Sequence, residues 1–337
     1  MYPLLMSPYF RHGEQTPWGG SQLKQLFGKN SPDDRTGESL EISALPGMDS
    51  VVANGELAGV TLSKVIELWG EGLTGLKDNS VFPLLLKLLD AKEMLSVQVH
   101  PGDGYAMEHE GKLGKTEAWV VLMCEPGAKL VYGVNVKSRE ELQKMVDGGQ
   151  LEQALQWISI QPGDVLYIPH GMVHALGGGI MVYEIQQSSD VTYRFWDWGR
   201  VGKDGKPREL HTRKAIEVTR PELEMGKLPG ATIIREGGNQ TYYISDENFE
   251  LSRLSVSGKM PLEGGRMRMI TALGEARLSW DGDGLDLKAG DSVLIPAGMD
   301  KVYLEGRTTA MCVQTPDGEN LKEALGYRAD QVAGLSL

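Results

Sequence analysis

The feature that most constrains the fold is an internal repeat of a short β-type unit. Residues 163–174 (GDVLYIPHGMVH) align without gaps on residues 290–301 (GDSVLIPAGMDK), and six of the twelve positions are identical. Each copy has a Gly-Asp turn, a short strand and a Pro-x-Gly turn. Two copies of one supersecondary unit predict two related β-barrels in tandem.

The remaining chain supports a mainly β fold. Short alternating segments recur through 231–314 at a spacing of roughly 8–12 residues, which is typical of a sandwich or barrel. Residues 199–230 are rich in Gly, Lys, Asp and Pro and are interpreted as a connector. We predict an N-terminal catalytic domain over 1–210, a connector over 211–230 and a C-terminal β-domain over 231–337.

A few short helices are expected to attach to the first barrel. Residues 61–68 have a capping Thr and helical apolar spacing, and Ser138 begins a second helical stretch to about residue 156. The Gly-rich segment 101–115 is predicted to be a loop. The apolar run 81–90 fits a buried strand or a short buried helix, and periodicity does not decide between them.

Four side chains of the first half form a candidate metal-ligand set. Gln98 and His100 are two residues apart in a segment that reads as a strand, so their side chains share a face. Glu117 begins a second apolar run, and His174 ends the first copy of the repeat. One amide oxygen, two imidazoles and one carboxylate suit a divalent ion such as zinc, with positions left open for a substrate. The second copy has Lys301 in place of His174, so we predict one metal ion per chain, in the first barrel.

Composition excludes several classes of function. The 337-residue chain has a net charge of −12 and a pI near 5.1, which argues against a nucleic-acid-binding surface. Two cysteines far apart in sequence make a disulfide framework implausible and fit a reducing cytosol. The sequence shows neither a signal peptide nor an apolar run of ~18 residues. We therefore expect a cytoplasmic protein without membrane partners, as a monomer or a weak homodimer.

Several motifs give the chain a resemblance to a known family. The pattern Gly-Asp-x-x-x-Ile-Pro-x-Gly-x-x-His, found at 163–174, is a hallmark of cupin barrels. The motifs that resemble type I mannose-6-phosphate isomerases of the short bacterial form are, in chain order, Trp18-Gly-Gly20, Gly37-Glu-Ser39, Phe82-Pro-Leu-Leu-Leu-Lys87, Leu95-Ser-Val-Gln-Val-His-Pro101, Gly114-Lys-Thr-Glu117, Val173-His-Ala-Leu176, Glu184-Ile-Gln-Gln-Ser-Ser-Asp190 and Thr192-Tyr-Arg194. The matches cover about residues 18–211, roughly the first two-thirds of the chain.

The resemblance implies both the fold and the chemistry. It implies two tandem cupin-type jelly-roll barrels and an enzyme that interconverts mannose 6-phosphate and fructose 6-phosphate. The family's zinc ligands map onto Gln98, His100, Glu117 and His174. Two residues depart from the family pattern: Leu40 stands where Trp is more frequent, and His170 stands where Ala is usual. Neither is a ligand position. We interpret His170 as a rim residue because Pro169 and Gly171 mark a turn.

The resemblance also places cationic side chains at the active site. It maps active-site positions onto Lys87, Lys115 and Arg194, which are expected to bind the phosphorylated hexose. Arg194 would hold the phosphate or the developing negative charge, unless it only pairs with Asp190 or Asp197. Lys87 would contact the substrate, unless it only extends out of a buried segment.

The base that moves the proton between C1 and C2 through an enediol stays open at this point. Lys115, Glu184 and a zinc-bound hydroxide are all candidates, because a metal lowers the pKa of bound water toward ~7. For Glu184, the alternative to acting as the base is a structural role.

Two other functions compete with the isomerase. A cupin oxygenase would use iron and several histidines, and the glutamine in this set weakens that hypothesis. A non-enzymatic sugar-binding module would not need an intact metal-ligand set.

Overall fold

The fold is dominated by antiparallel strands. The computed structural model describes residues 1–78, 81–202 and 204–316. Its strands are β1 Leu4–Ser7, β2 Tyr9–His12, β3 Thr36–Ile42, β4 Val51–Val52, β5 Leu84–Ala91, β6 Val97–Val99, β7 Glu117–Cys124, β8 Lys129–Val134, β9 Leu155–Ser159, β10 Val165–Ile168, β11 His174–Ala175, β12 Ile180–Gln187, β13 Tyr193–Trp196, β14 Ala231–Arg235, β15 Gly238–Ser245, β16 Glu250–Val256, β17 Lys259–Leu262, β18 Arg268–Ala272, β19 Ala276–Trp280, β20 Asp283–Leu287, β21 Ser292–Ile295, β22 Val302–Glu305 and β23 Thr308–Gln314.

The helices are short and lie mostly among the strands of the first half. They are α1 Gln22–Phe27, α2 Leu62–Trp69, α3 Glu71–Thr74, α4 Asp103–Glu110, α5 Arg139–Asp147, α6 Leu151–Ala154 and α7 Thr212–Val218. Ser138 caps α5 by accepting a hydrogen bond from the backbone N–H of Glu141, as its capping-box sequence predicts. In the described part of the chain, no helix is long and apolar enough to cross a membrane.

The first unit is a sandwich of two facing sheets. One sheet has the order β10-β7-β12-β5-β3-β2, and the other has the order β13-β6-β11-β8-β9. Side chains from both sheets, including Trp119 of β7 and Leu130 of β8, share one apolar core. Strand β5 is buried on both faces, because Leu89 enters this core while Leu86 and Leu88 enter a second one. Burial on both faces explains the continuous apolar run at 81–90.

The second unit repeats the architecture. Its larger sheet has the order β14-β15-β16-β23-β18-β21-β1-β4, and its smaller sheet has the order β17-β22-β19-β20. Leu254 and Ile270 of the larger sheet pack with Leu278 and Leu304 of the smaller one. Each unit therefore has the layered arrangement of a cupin jelly roll, built from two open sheets rather than one closed barrel. The predicted mainly β fold of two tandem cupin units is confirmed.

The N-terminal strand joins the two units. Strand β1 pairs antiparallel with β21, with Leu4 opposite Leu294, so the first strand of the chain lies in a sheet of the second unit. A large core also contains side chains of both units, among them Leu86 and Val313. The domain boundaries at 210 and 230 stay a prediction, and the end of the predicted C-terminal domain, 317–337, lies outside the described residues.

Several local predictions need correction. The predicted loop 101–115 contains α4, whose sequence DGYAMEHE buries only Ala106 and so has no apolar periodicity to recognise. The connector contains α7, and the predicted helix from Ser138 is two helices separated by Gly148-Gly149. The apolar run 81–90 is a strand, β5.

Candidate metal centre and adjoining cleft

The strands of the first unit bring the four predicted ligands to one place. Strand β11 pairs with β6 so that His174 lies opposite Gln98. His100 follows β6 directly, and Glu117 is the first residue of β7 in the facing sheet. The side chains of His100, Glu117 and His174 offer ligand atoms that all lie within 4.8 Å of one another. The structure thus brings together residues that are separated by up to 76 positions in sequence.

Hydrogen bonds orient both imidazoles toward the carboxylate. The Nδ1 atoms of His100 and His174 lie 2.9 Å from the carbonyl oxygens of Val191 and Met172, respectively. Since a carbonyl only accepts, each Nδ1 carries a proton and each Nε2 presents a lone pair. These Nε2 atoms lie 3.7 Å and 3.2 Å from the oxygens of Glu117. Backbone carbonyls at Nδ1 are the usual partners of metal-binding histidines.

One buried carboxylate oxygen of this group is not satisfied by the protein residues that the structure describes. Glu117 is fully buried, and its Oε1 has no hydrogen-bond partner among the described residues. The Nε2 of His174 faces this oxygen, but both atoms are acceptors. A divalent ion between them would satisfy both, and it would suit the nitrogen and oxygen donors present. The residues therefore fit a bound metal ion.

Gln98 lies beside this group with its amide nitrogen toward the imidazole. Its Nε2 is 3.4 Å from Nε2 of His174, and its Oε1 lies 3.2 Å from the Ser96 hydroxyl. The amide must rotate by about 180° to present its oxygen as a ligand, since only the oxygen carries lone pairs.

Lys115 supplies the positive charge that contacts this group. Its Nζ binds Oε2 of Glu117 and lies 3.1 Å from Nε2 of His100. Burial raises the pKa of the Glu117 carboxyl, but the ammonium of Lys115 beside it outweighs burial and holds this pKa well below its usual range. Burial and Lys115 together lower the pKa of His100 well below its usual value, so this imidazole is neutral and its lone pair is available.

A cleft adjoins the group through Gln98 and Lys115, which line it. Its cationic side chains are Arg11, Lys87, Lys115, Arg194 and Arg208. Three acids also line it: Glu38, Glu184 and Asp190. Leu40, which departs from the family pattern, lies in its wall. Local cations in a chain of net charge −12 suit a small anion.

Lys87 lies between two buried carboxylates. Its Nζ is 3.1 Å from Oε1 of Glu184 and 3.5 Å from Oε2 of Glu38. Burial lowers the pKa of Lys87, but the two acids outweigh burial and raise it. Trp119 donates to the other oxygen of Glu184 at 2.7 Å. Lys87 is therefore a charged group inside the cleft and does not extend to the protein surface.

Arg194 faces the cleft without either of the two partners named as alternatives. Its Nε donates to the Ser96 hydroxyl at 3.2 Å, and a terminal nitrogen donates to the Glu209 carbonyl at 3.0 Å. Asp197 forms its salt bridges with Arg208 and Arg200, and Asp190 binds Lys112. Burial and the neighbouring Arg208 lower the pKa of Arg194.

Sequence reasoning missed part of the cleft. Arg11 reaches it from β2 and binds Glu38 at 3.2 Å, and Arg208 reaches it from the predicted connector. Nothing in the sequence around either arginine signals this position. Glu38 did carry a signal, the Gly-Glu-Ser motif. His170 lies in a separate groove beside Arg220, so it does not line the cleft.

Known proteins match most of the chain. The models for "Phosphomannose isomerase type I, catalytic domain" and "Mannose-6-phosphate isomerase, cupin domain" match residues 11–114 and 239–315. The mannose-6-phosphate isomerase of Streptococcus mutans is 40% identical over 83% of this chain and 88% of its own length. Mannose-6-phosphate isomerase ManA of Bacillus subtilis is 39% identical over 90% of this chain and 96% of its own length.

Solved structures give the same result for the fold. A crystal structure of the mannose 6-phosphate isomerase from Bacillus subtilis has a TM-score of 0.87 at 36% identity, and the match covers 93% of this chain and 99% of that one. A putative mannosephosphate isomerase from Archaeoglobus fulgidus has a TM-score of 0.71 at 24% identity over 93% of this chain and 97% of its own, which is a likeness of fold alone.

Proposed function

The chain belongs to the type I phosphomannose isomerase family, and on that premise we propose that it interconverts mannose 6-phosphate and fructose 6-phosphate. The observation that carries the proposal is the buried group of His100, Glu117 and His174 beside a cleft whose cationic lining includes Lys115, which binds Glu117. An aldose–ketose isomerase needs such a combination, because it must hold an anionic sugar and stabilise charge beside a carbonyl.

We propose Gln98, His100, Glu117 and His174 as the ligands of one Zn²⁺ ion. Two imidazoles, one carboxylate and one amide oxygen suit zinc, and a catalytic zinc site keeps a position open for oxygen ligands of a substrate. When bound, zinc would polarise the sugar carbonyl and stabilise the negative charge of the enediol form. The hydrogen bonds from the Nδ1 atoms support this assignment, because they hold both rings in the ligating tautomer.

Arg194 and Lys87 are proposed to bind the substrate. Arg194 donates to only one hydroxyl and one carbonyl, so its remaining guanidinium hydrogens are available for a phosphate or an enediolate. Lys87 lies deeper and is neutralised by two acids, which suits contacts with sugar hydroxyls more than with a dianion.

Lys115 is the residue we propose for moving the proton between C1 and C2. Its Nζ lies beside the ligand atoms, 3.1 Å from Nε2 of His100. This position places its amino group next to the sugar atoms that a bound ion would hold, which is the place that a proton-transferring group requires. Glu184 is a weaker candidate because Lys87 and Trp119 already occupy its oxygens, and its proposed role is to orient Lys87.

The cellular location, the oligomeric state and the domain boundaries are further proposals. We infer a cytoplasmic location, which the free thiols of Cys124 and Cys312 support. We also propose that the protein is a monomer or weak homodimer with domains at 1–210 and 231–337.

The test is an isomerase assay with a metal control. Purified protein is given mannose 6-phosphate, and fructose 6-phosphate is followed before chelation, after chelation and after addition of zinc. The proposal expects activity that disappears on chelation and returns with zinc. Activity that persists after complete metal removal would refute the proposed role of zinc. A metal-bound protein that does not convert mannose 6-phosphate would refute the proposed substrate assignment.

A further inference from the structure

The second unit contains a buried arginine at the position that corresponds to Glu117. In the first unit, Ile168 of the repeat lies opposite Glu117 in the β10–β7 ladder. In the second unit, the equivalent Ile295 lies opposite Arg268 in the β21–β18 ladder. The strands on the other side of these two positions also correspond. Glu117 lies opposite Gln186 of β12, and Arg268 lies opposite Gln314 of β23. The second unit thus has a positive charge where the first has a carboxylate.

Arg268 is buried without a partner for its charge. Its relative exposure is 5%, and its guanidinium forms no hydrogen bond or ion pair with any residue of 1–78, 81–202 or 204–316. The nearby buried acid Glu250 is already bound by Arg266 at 2.9 Å and by Gln314 at 3.0 Å. A buried charge that forms no ion pair destabilises the fold, so its presence points to a ligand.

This arginine lines a cavity of about 170 Å³. Two further buried polar atoms in its lining have no partner among the described residues: Nε of Arg235, a donor, and Oε1 of Gln314, an acceptor. Leu254, Met260 and Leu262 form an apolar wall. The cavity therefore offers guanidinium donors for an oxyanion, one acceptor for a hydroxyl group and apolar surface for a short carbon skeleton.

The acids that line the cavity form no ion pair with Arg268 among the described residues, although the charge of Glu263 acts on it from the rim. Glu263 is exposed at the rim, where it binds Arg235 at 3.2 Å, and Glu236 is exposed as well. Cys312 also lines the cavity, and burial raises the pKa of its thiol, which is therefore neutral. The deep end of the cavity is thus positive and the rim is negative.

We propose that this cavity is a second, metal-independent binding site for a small organic oxyanion, a phosphate monoester or a carboxylate, held by Arg268. The site lies in the unit that lacks histidine and is separate from the proposed catalytic cleft. Guanidinium groups bind phosphates and carboxylates through paired N–H donors, which is the chemistry that an unpartnered Arg268 offers. The proposal does not depend on the isomerase activity.

Calorimetric titration of the full-length protein tests the site. The probes are inorganic phosphate and citrate, each compared with chloride at equal ionic strength. Arg268→Met should reduce the oxyanion bound per chain by one equivalent, or weaken that site by about tenfold or more, whatever the first cleft binds. Binding of phosphate alone would indicate a phosphate monoester as the natural ligand, and binding of citrate alone would indicate a carboxylate. Unchanged stoichiometry and affinity in the variant would overturn the proposal.

A stability measurement separates this role from a structural one. In chloride buffer, Arg268→Met should have a Tm equal to or above that of the wild type, because an unpartnered buried charge is removed. The control is Arg266→Met, two residues away, which should lower the Tm because it removes the 2.9 Å ion pair of Arg266 with the buried carboxylate of Glu250. If Arg268→Met lowers the Tm as much as the control does, Arg268 is a structural residue and the proposal fails.

Discussion

Lys87 provides a quantitative test of the electrostatics of the cleft. Its ammonium is the shared counter-charge of Glu38 and Glu184, and the three side chains are 10%, 9% and 3% exposed. Lys87→Met keeps the length of the side chain and removes the charge. Two carboxylates, 3.1 Å and 3.5 Å from the former ammonium, would then lose a partner inside the protein.

The expected loss of stability follows from the contacts that remain. Breaking a buried ion pair typically costs about 3–5 kcal/mol. Arg11 still binds Glu38 and Trp119 still donates to Glu184, so the lower end, about 3 kcal/mol, applies. For a chain of this size, about 2 °C per kcal/mol gives a decrease in Tm of roughly 6 °C. The control is Lys64→Met, which breaks an exposed pair with Glu67 and should change stability by less than about 1 kcal/mol.

The pH dependence tests the cause of that loss. In the folded wild type, burial raises the pKa of Glu38, but Lys87 and Arg11 outweigh burial and lower it below 4.5. The ion pair therefore stabilises the fold above pH 4.5 and is lost as the pH falls through the lowered value. The difference in Tm between wild type and Lys87→Met, measured by calorimetry, should shrink as the pH is lowered from 7 to about 3, through the range below 4.5 in which the pair is lost. An equal difference at both pH values would refute the electrostatic explanation.

Three further predictions concern the metal centre and the substrate. Arg194→Ala should keep one metal ion per chain, measured by mass spectrometry, and lower kcat/KM by about 10–100-fold because a charged hydrogen bond to the substrate is lost. An unchanged kcat/KM would show that Arg194 does not bind the substrate. Chelation should lower the Tm of the wild type, because a bound ion at about 100 times its Kd adds about 2.7 kcal/mol to the free energy of unfolding. Chelation should not change the Tm of His174→Ala, and equal shifts in the two proteins would show that the ion binds elsewhere. The free energy of unfolding of the metal-free protein should fall as the pH decreases below 6.5, because His100 is neutral in the folded protein and binds a proton on unfolding. In denaturant titrations, the free energy of unfolding of His100→Asn should fall less over the same pH range. Identical pH profiles would contradict the neutral state of His100.

The candidate metal-ligand residues could be selected from the sequence because they lie in recognisable motifs. Gln98 and His100 stand two apart beside a strand, and His174 ends a repeat whose turns fix its position. The structure brings these residues together with Glu117, as the sequence predicts, and joins two of them through one ladder pair. The roles of Lys87, Lys115, Glu184 and Arg194 are proposals, although all four line the same cleft.

Other features depend on contacts that no local pattern encodes. Strand β1 pairs with β21 at the far end of the chain, which short-range periodicity does not reveal. Helix α4 has too few apolar residues for its period to be recognised. Arg208 reaches the cleft from an irregular segment, and the correspondence of Arg268 with Glu117 appears only when the strand registers of the two units are compared.

The central claim is that Glu117 and the two imidazoles hold the ion on which activity depends. The most direct test measures metal content and isomerase activity on the same preparations of wild type and Glu117→Ala. The account predicts one equivalent of zinc with activity in the wild type, and loss of both in the variant. A variant that retains one equivalent of zinc and full activity would contradict it.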